Sequence, residues 1–285
     1  MPTSFTSKIS GVWTAIITPF DSAGGIDWPA FEKLLAKQEE AGVDGVVVCG
    51  TTGESPTLTA QEKISLVRKA RTALDPKVRV MAGTGSNNTA QSVELSKLAM
   101  DAGAESLLVV TPPYNKPSLA GLQGHFSTIA EATQAPLCLY HVPGRTAQML
   151  SVSDLTALTQ IPGIVAVKEA SAQIDYFSRV NRQSGDCALL SGDDPTYLGS
   201  LAVGGQGIIS VVTNVFPKAF VALTKAWLRD DTHQALEIHN VLLPFVDSLF
   251  WEPNPCPTKA ILAEQGLCQN QVRLPLAVVE PSTQG

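Results

Sequence analysis

Charge is scarce in this chain. Of its 285 residues only 16% are Asp, Glu, Lys or Arg, against about a quarter in an ordinary soluble domain. A disordered chain shows the reverse balance, and here apolar residues make up 44%. Basic residues are the scarcer sign, 20 Lys and Arg against 26 Asp and Glu, for a net charge of −6. That argues against a nucleic-acid footprint. The one dense basic stretch, Arg68-Lys69-Ala70-Arg71, reads as a solvated helix face. Long apolar runs are missing too: none approaches the ~18 residues of a membrane span, and the N-terminus lacks the apolar stretch of a secretion signal. The five cysteines include no CxxC pair and lie mostly within apolar runs, as small buried hydrophobes of a reducing compartment do. The four histidines form no HExxH or other ligand spacing, so no metal site is expected. The expectation is a soluble cytoplasmic protein with no metal, membrane or nucleic-acid partner.

What the chain has instead is alternation. Apolar, mostly β-branched runs recur at Val12–Thr18, Gly45–Cys49, Val78–Ala82, Leu107–Thr111, Leu137–His141, Ile164–Lys168, Ala188–Ser191 and Gly207–Val212. They are nearly continuous rather than alternating, as parallel strands covered on both faces must be. Between them lie segments of helical period: Trp28–Ala41 after the N-cap Asp27, Thr59–Ala73 with the capping box Thr59-Ala60-Gln61-Glu62, Thr89–Ala102 before Gly103, then Ser118–Thr133, Ser153–Gln160, Ile174–Ser184 and Pro195–Val203. Eight strands alternating with helices predict an α/β fold, the (β/α)8 TIM barrel. A doubly wound open sheet is the alternative, but it usually carries a glycine fingerprint after its first strand, where this chain has Thr18-Pro19-Phe20. Beyond the eighth run, Lys218–Arg229, His233–Phe250 and Pro257–Glu264 are helical with no strand between them. The predicted division is a barrel over 1–224 that carries the active site and a C-terminal helical domain over 225–285.

In such a barrel the chemistry sits at the C-terminal ends of the strands. Lys168 ends the sixth run, directly after four apolar residues. Burial disfavours the charged form of an amine and leaves a nucleophile able to form a Schiff base with a carbonyl. A lysine that reaches solvent, or one that pairs with Glu169, fits that position equally well. Tyr140 closes the fifth run and can relay protons; Arg145, in the turn Pro143-Gly144-Arg145-Thr146, can hold a carboxylate in its guanidinium fork. Taken singly, an interfacial tyrosine and a surface arginine are the commoner explanations. Gly50-Thr51-Thr52-Gly53-Glu54 offers hydroxyls and amides for an anion, or is an ordinary glycine-rich turn. Tyr114 sits in the stiff loop Thr111-Pro112-Pro113-Tyr114. Gly192 and the Gly207–Ser210 stretch, with Ile209, are places where backbone can approach a ligand.

Taken together, Gly50–Glu54, Tyr140 with Arg145-Thr146, Lys168-Glu169-Ala170, Ser191-Gly192-Asp193-Asp194 and Gly207–Ser210 resemble, in order and spacing, the pyruvate-dependent class I aldolase family that includes dihydrodipicolinate synthases and N-acetylneuraminate lyases. The resemblance runs over roughly residues 8–265. It implies a barrel with C-terminal helices, a homotetramer built as a dimer of dimers, and no metal or organic cofactor. Lys168 would form the Schiff base with pyruvate. Tyr140 would relay protons, linked through Thr51 to Tyr114 of a neighbouring subunit. Thr52 would hold the pyruvate carboxylate, with Gly192 and Ile209 lining the pocket. Arg145 and Lys168-Glu169-Ala170 favour the synthase branch, which condenses pyruvate with L-aspartate 4-semialdehyde in lysine (diaminopimelate) biosynthesis. A lyase on the same scaffold, cleaving a sugar acid or a hydroxy-oxoglutarate, is the nearest alternative. A non-catalytic keto-acid binder and a phosphate-binding barrel using Gly50–Gly53 are more distant ones.

Some positions depart from that pattern. His141 stands where asparagine is frequent, Cys256 where an aliphatic is frequent, and Pro113 where a tyrosine is common. Ala60, Lys63 and Gln91 stand where lysine-inhibited relatives often carry two histidines and a glutamate. A neutral Gln91 holds an ammonium less well than a carboxylate, so inhibition by L-lysine is expected to be weak or absent.

Overall fold

The strands form where the apolar runs are, with ends shifted by a residue or two. The computed structural model describes residues 9–279. Strands β1 (Gly11–Ala15), β2 (Gly45–Val48), β3 (Arg79–Gly83), β4 (Ser106–Val110), β5 (Leu137–His141), β6 (Ile164–Glu169), β7 (Ala188–Ser191) and β8 (Gly207–Ser210) follow one another in chain order around a closed parallel barrel. Every residue of β2, β5, β7 and β8 is buried, which is why their sequences carry no polar alternation. The ladder has one irregularity beside the candidate lysine. Between β5 and β6, Leu137 faces Ile164 but Cys138 faces Ala166, so Val165 is passed over. From there the strands stay in step and bring Tyr140 opposite Lys168 and His141 opposite Glu169.

The helices start where their caps predict. The Asp27 carboxylate accepts from the Ala30 N–H at 3.0 Å to open Trp28–Ala41. The Thr59 hydroxyl accepts from the Glu62 N–H at 3.2 Å while the Glu62 carboxylate accepts from the Thr59 N–H at 2.8 Å, a reciprocal box at the start of Ala60–Ala73. The basic run in that helix is only partly the solvated face expected. Arg68 is exposed, but Lys69 pairs with Glu32. Arg71 donates to the carbonyls of Val78, Leu74 and Asp75 at 3.1, 3.0 and 2.9 Å, and so caps the helix end where carbonyls lack partners.

Thr89–Asp101, Leu119–Thr133, Val152–Thr159, Ile174–Gln183 and Tyr197–Ala202 are the other helices between strands, and Pro217–Leu228, Thr232–Ser248 and Cys256–Glu264 follow β8. The short helix Pro143–Thr146 and the single 3-10 turns Ser55–Thr57 and Val212–Asn214 are too brief for any hydrophobic period to announce. The chain groups into two compact units. One is Val80–Ile209 with the chain up to Gly11, and the other is Val12–Arg79 with the chain from Ser210 onward. Among the described residues no helix is long and apolar enough to cross a membrane. The cysteines are free and four of the five are buried; burial pushes the Cys49 and Cys187 thiols up to about 12, so they are packing residues rather than nucleophiles.

Candidate functional site

Lys168 and Tyr140 lie on adjacent strands in the same register pair. Because side chains alternate along a strand, these two share one face of the sheet and His141 and Glu169 share the other. Lys168 is 4% exposed, which rules out a chain reaching for solvent. Nor does it pair with Glu169: that carboxylate accepts from the Ser171 N–H at 2.7 Å and stands 3.3 Å from His141 Nδ1. The Lys168 amine instead lies over the Tyr140 ring, 4.4 Å from its centroid. The electron-rich ring face is a weaker partner than a carboxylate, and among the described residues no anion pairs with the amine. Room for the lysine stem comes from Gly192. A Cβ there would stand 2.7 Å from Lys168 Cε and 2.9 Å from Lys168 Cγ, inside any carbon–carbon contact distance.

The remaining candidates in this unit differ in exposure. Arg145 belongs to the short helix Pro143–Thr146, and its side chain is exposed. Tyr114 is 90% exposed and has φ 74°, a left-handed backbone that non-glycine residues seldom adopt. Its loop is tied down at two points just after it. Asn115 Nδ2 donates to the Asn87 carbonyl at 3.2 Å, and Gln148 Nε2 to the Pro117 carbonyl at 2.8 Å. Ile209 is fully buried in β8.

Thr51 and Thr52 lie in the other unit, in the turn after β2. This turn spends more of its amides on itself than the sequence suggests. The N–H groups of Gly53 and Ser55 bond the Gly50 carbonyl at 3.1 and 3.3 Å, and that of Glu54 bonds the Thr51 carbonyl at 3.0 Å. Among the described residues the Gly50, Thr51 and Thr52 amides make no backbone bond within the turn, so the anion nest shrinks to those three. The Thr52 hydroxyl accepts from Asn254 Nδ2 at 2.9 Å, and both side chains are buried.

Glu54, φ 54°, is buried with its carboxylate bonded to Lys259 Nζ and to the Arg273 N–H at 2.9 Å. Lys259 Nζ also reaches the Gln271 carbonyl at 2.8 Å and lies 4.1 Å from the Phe20 ring centroid. The Arg273 guanidinium lies 4.3 Å from the same centroid and binds Glu62 at 2.6 and 3.1 Å, which holds the Glu62 carboxyl down to about 2. Asn254, Lys259 and Arg273 escaped the sequence reading, which passed over the Asn254–Lys259 turn after weighing only Cys256. The chain did carry one signal, a lysine within the helical stretch Pro257–Glu264 and an asparagine in the proline-rich turn before it.

The first unit supplies a buried amine over a phenol and an exposed guanidinium, and the turn after β2 in the second supplies two hydroxyls and unbonded amides; each by itself is suited to carbonyl or carboxylate chemistry. Among the described residues no group of three His, Cys, Asp or Glu could hold a metal ion.

Comparison with known proteins points the same way. A model of the dihydrodipicolinate synthetase family matches residues 8–285. The 4-hydroxy-tetrahydrodipicolinate synthase of Magnetococcus marinus is 42% identical over 275 residues, covering 96% of this chain and 94% of its own. A chloride-inhibited dihydrodipicolinate synthase from Acinetobacter baumannii, solved in complex with pyruvate, superposes with a TM-score of 0.93 at 38% identity and covers 96% and 94% of the two chains. A monomeric dihydrodipicolinate synthase variant matches with a TM-score of 0.94, also at 38% identity, over 96% of this chain and 93% of its own.

Proposed function

The chain belongs to the dihydrodipicolinate synthetase family, whose members are lyases of the class I aldolase type, and from that we propose that it is a 4-hydroxy-tetrahydrodipicolinate synthase that condenses pyruvate with L-aspartate 4-semialdehyde in the lysine (diaminopimelate) pathway. The observation that carries the reading is the buried Lys168 amine lying over Tyr140, with no carboxylate of the described residues paired to it. Lys168 Nζ adds to the pyruvate ketone, water leaves, and an imine forms. The imine draws electrons from the methyl carbon, a proton departs, and the resulting enamine attacks the aldehyde. The amine of the second substrate then displaces Lys168 and closes the ring. Tyr140 carries protons in these steps, with Thr51 and Tyr114 as the rest of the relay. Thr52 and its amide hold the pyruvate carboxylate, Arg145 that of the semialdehyde, and Gly192 and Ile209 line the pocket. The exposure of Arg145 and Tyr114 suits groups that meet a second substrate and a neighbouring subunit, in keeping with a homotetramer. The synthase needs no metal or organic cofactor. In this reading residues 1–224 carry the chemistry in the cytoplasm and 225–285 are the helical part, their ends at 1–8 and 280–285 lying outside the described residues.

The test is to incubate the protein with pyruvate and borohydride and map the reduced adduct by mass spectrometry. An adduct on Lys168 is expected; its absence, or its placement on another lysine, would overturn the mechanism. Turnover of pyruvate with aspartate semialdehyde, against a panel of sugar-derived and hydroxy-oxoglutarate substrates, then separates the synthase from a lyase.

A further inference from the structure

The face of β5 and β6 opposite Lys168 and Tyr140 carries a polar pair that the mechanism does not use. His141 and Glu169 form the next register pair along the same two strands and are 0% and 2% exposed. The Leu150 N–H donates to His141 Nε2 at 3.3 Å. A ring nitrogen that accepts carries no proton, so the hydrogen of the neutral imidazole sits on Nδ1. That N–H donates to Glu169 Oε1 at 3.3 Å. The same carboxylate oxygen accepts from the Ser171 N–H at 2.7 Å. The His141 ring also packs on Tyr176, centroids 5.6 Å apart. A chain of three hydrogen bonds therefore runs from segment 150 through β5 and β6 to residue 171, one residue along each strand from the reacting pair.

A buried carboxylate costs several kcal/mol unless it is bonded, and this pair lies on a strand whose pairing is already irregular at Val165. The ladder sets the Tyr140–Lys168 register, and the His141–Glu169 side-chain bond ties the two strands together one step further on. We propose that the His141–Glu169 bond is the brace that sets the Lys168 amine against Tyr140, which makes His141 and Glu169 positioning residues for imine formation. The inference rests on the Schiff-base reading of Lys168.

The experiment measures borohydride trapping of pyruvate on Lys168 as a rate constant per trappable site and as a final stoichiometry. His141→Phe keeps an aromatic ring against Tyr176 and deletes both hydrogen bonds. A displacement of about 1 Å costs on the order of 100-fold in a positioned reaction. The expected result is a rate constant 10- to 100-fold lower at saturating pyruvate, with near-complete final trapping. His141→Asn, whose amide N–H can take the place of Nδ1, is expected to return the rate to within about threefold of the original protein, since the bond to Glu169 is restored. Should His141→Phe not fold, Glu169→Met breaks the brace from the other strand and is expected to slow trapping likewise. A wild-type rate constant per site in whichever of these folds, with only stability or final stoichiometry reduced, would mean that the pair is merely structural and overturn the proposal. So would a His141→Asn no faster than His141→Phe. Absence of any adduct on the unaltered protein would sink the Schiff-base reading itself and the brace with it.

Discussion

Gly192→Ala tests the site at its tightest point. The backbone at Gly192 is not left-handed, so alanine meets no conformational penalty and the effect is purely one of space. The new Cβ would stand 2.7 Å from both Lys168 Cε and Ala170 Cβ, where carbon atoms prefer about 3.5–4.0 Å. Backbone on this side is pinned, because the Gly192 N–H donates to the Glu169 carbonyl at 2.6 Å, so the lysine stem must yield by roughly 1 Å. Overpacking of this kind costs about 1–3 kcal/mol of stability, and a 1 Å displacement of the amine up to about 100-fold in rate, or ~2.7 kcal/mol in activation free energy. The urea midpoint and the rate constant of adduct formation on Lys168 read the two effects. Adding Ala170→Gly separates them. That second change relieves the Ala170 contact but not the Lys168 one, so stability should partly return while the rate stays low. A Gly192→Ala protein whose trapping rate is within threefold of the original would refute the reasoning, since the lysine would then have slack that the geometry denies.

Three further outcomes are expected. The Glu62 carboxyl, held at about 2 by the Arg273 guanidinium, has a folded-state pKa below its unfolded value near 4.3. The stability it contributes is therefore present above about pH 4.3 and is lost as pH falls toward 2, and Arg273→Ala should flatten that part of a stability-against-pH curve measured by urea unfolding. Lys259→Met leaves the fully buried Glu54 carboxylate without its cation and should cost about 3–5 kcal/mol, whereas Lys259→Met with Glu54→Gln should recover much of it; thermal unfolding of the two proteins compares them directly. Millimolar L-lysine should leave initial synthase rates nearly unchanged, given Ala60, Lys63, Gln91 and Pro113, and strong inhibition would contradict that.

Strand number, barrel class and the lysine worth explaining were all readable from the chain, because parallel strands buried on both faces demand unbroken apolar runs and Lys168 breaks one. Caps were readable for the same local reason, as at Asp27 and Thr59. Pairings far apart in sequence were not. Nothing near Thr52 announces Asn254, which lies 202 residues away, and nothing near Lys168 shows that Glu169 turns to His141. Backbone signals failed where the residue type hides them: Cys49, Glu54 and Tyr114 all have positive φ, yet none is a glycine or asparagine whose presence predicts it.

The Glu54 cluster has a consequence for how the chain is made. Its carboxylate leaves the ribosome 205 residues before the ammonium that neutralises it, and at about 5–20 residues per second that is an interval of roughly 10–40 s. During that time the turn bearing Thr51 and Thr52 lacks the Asn254, Lys259 and Arg273 bonds that hold it. That turn thus waits on the helix Cys256–Glu264 and the stretch beyond it, and any premature stop before Lys259 releases a chain whose Glu54 carboxylate lacks the ammonium it is buried against.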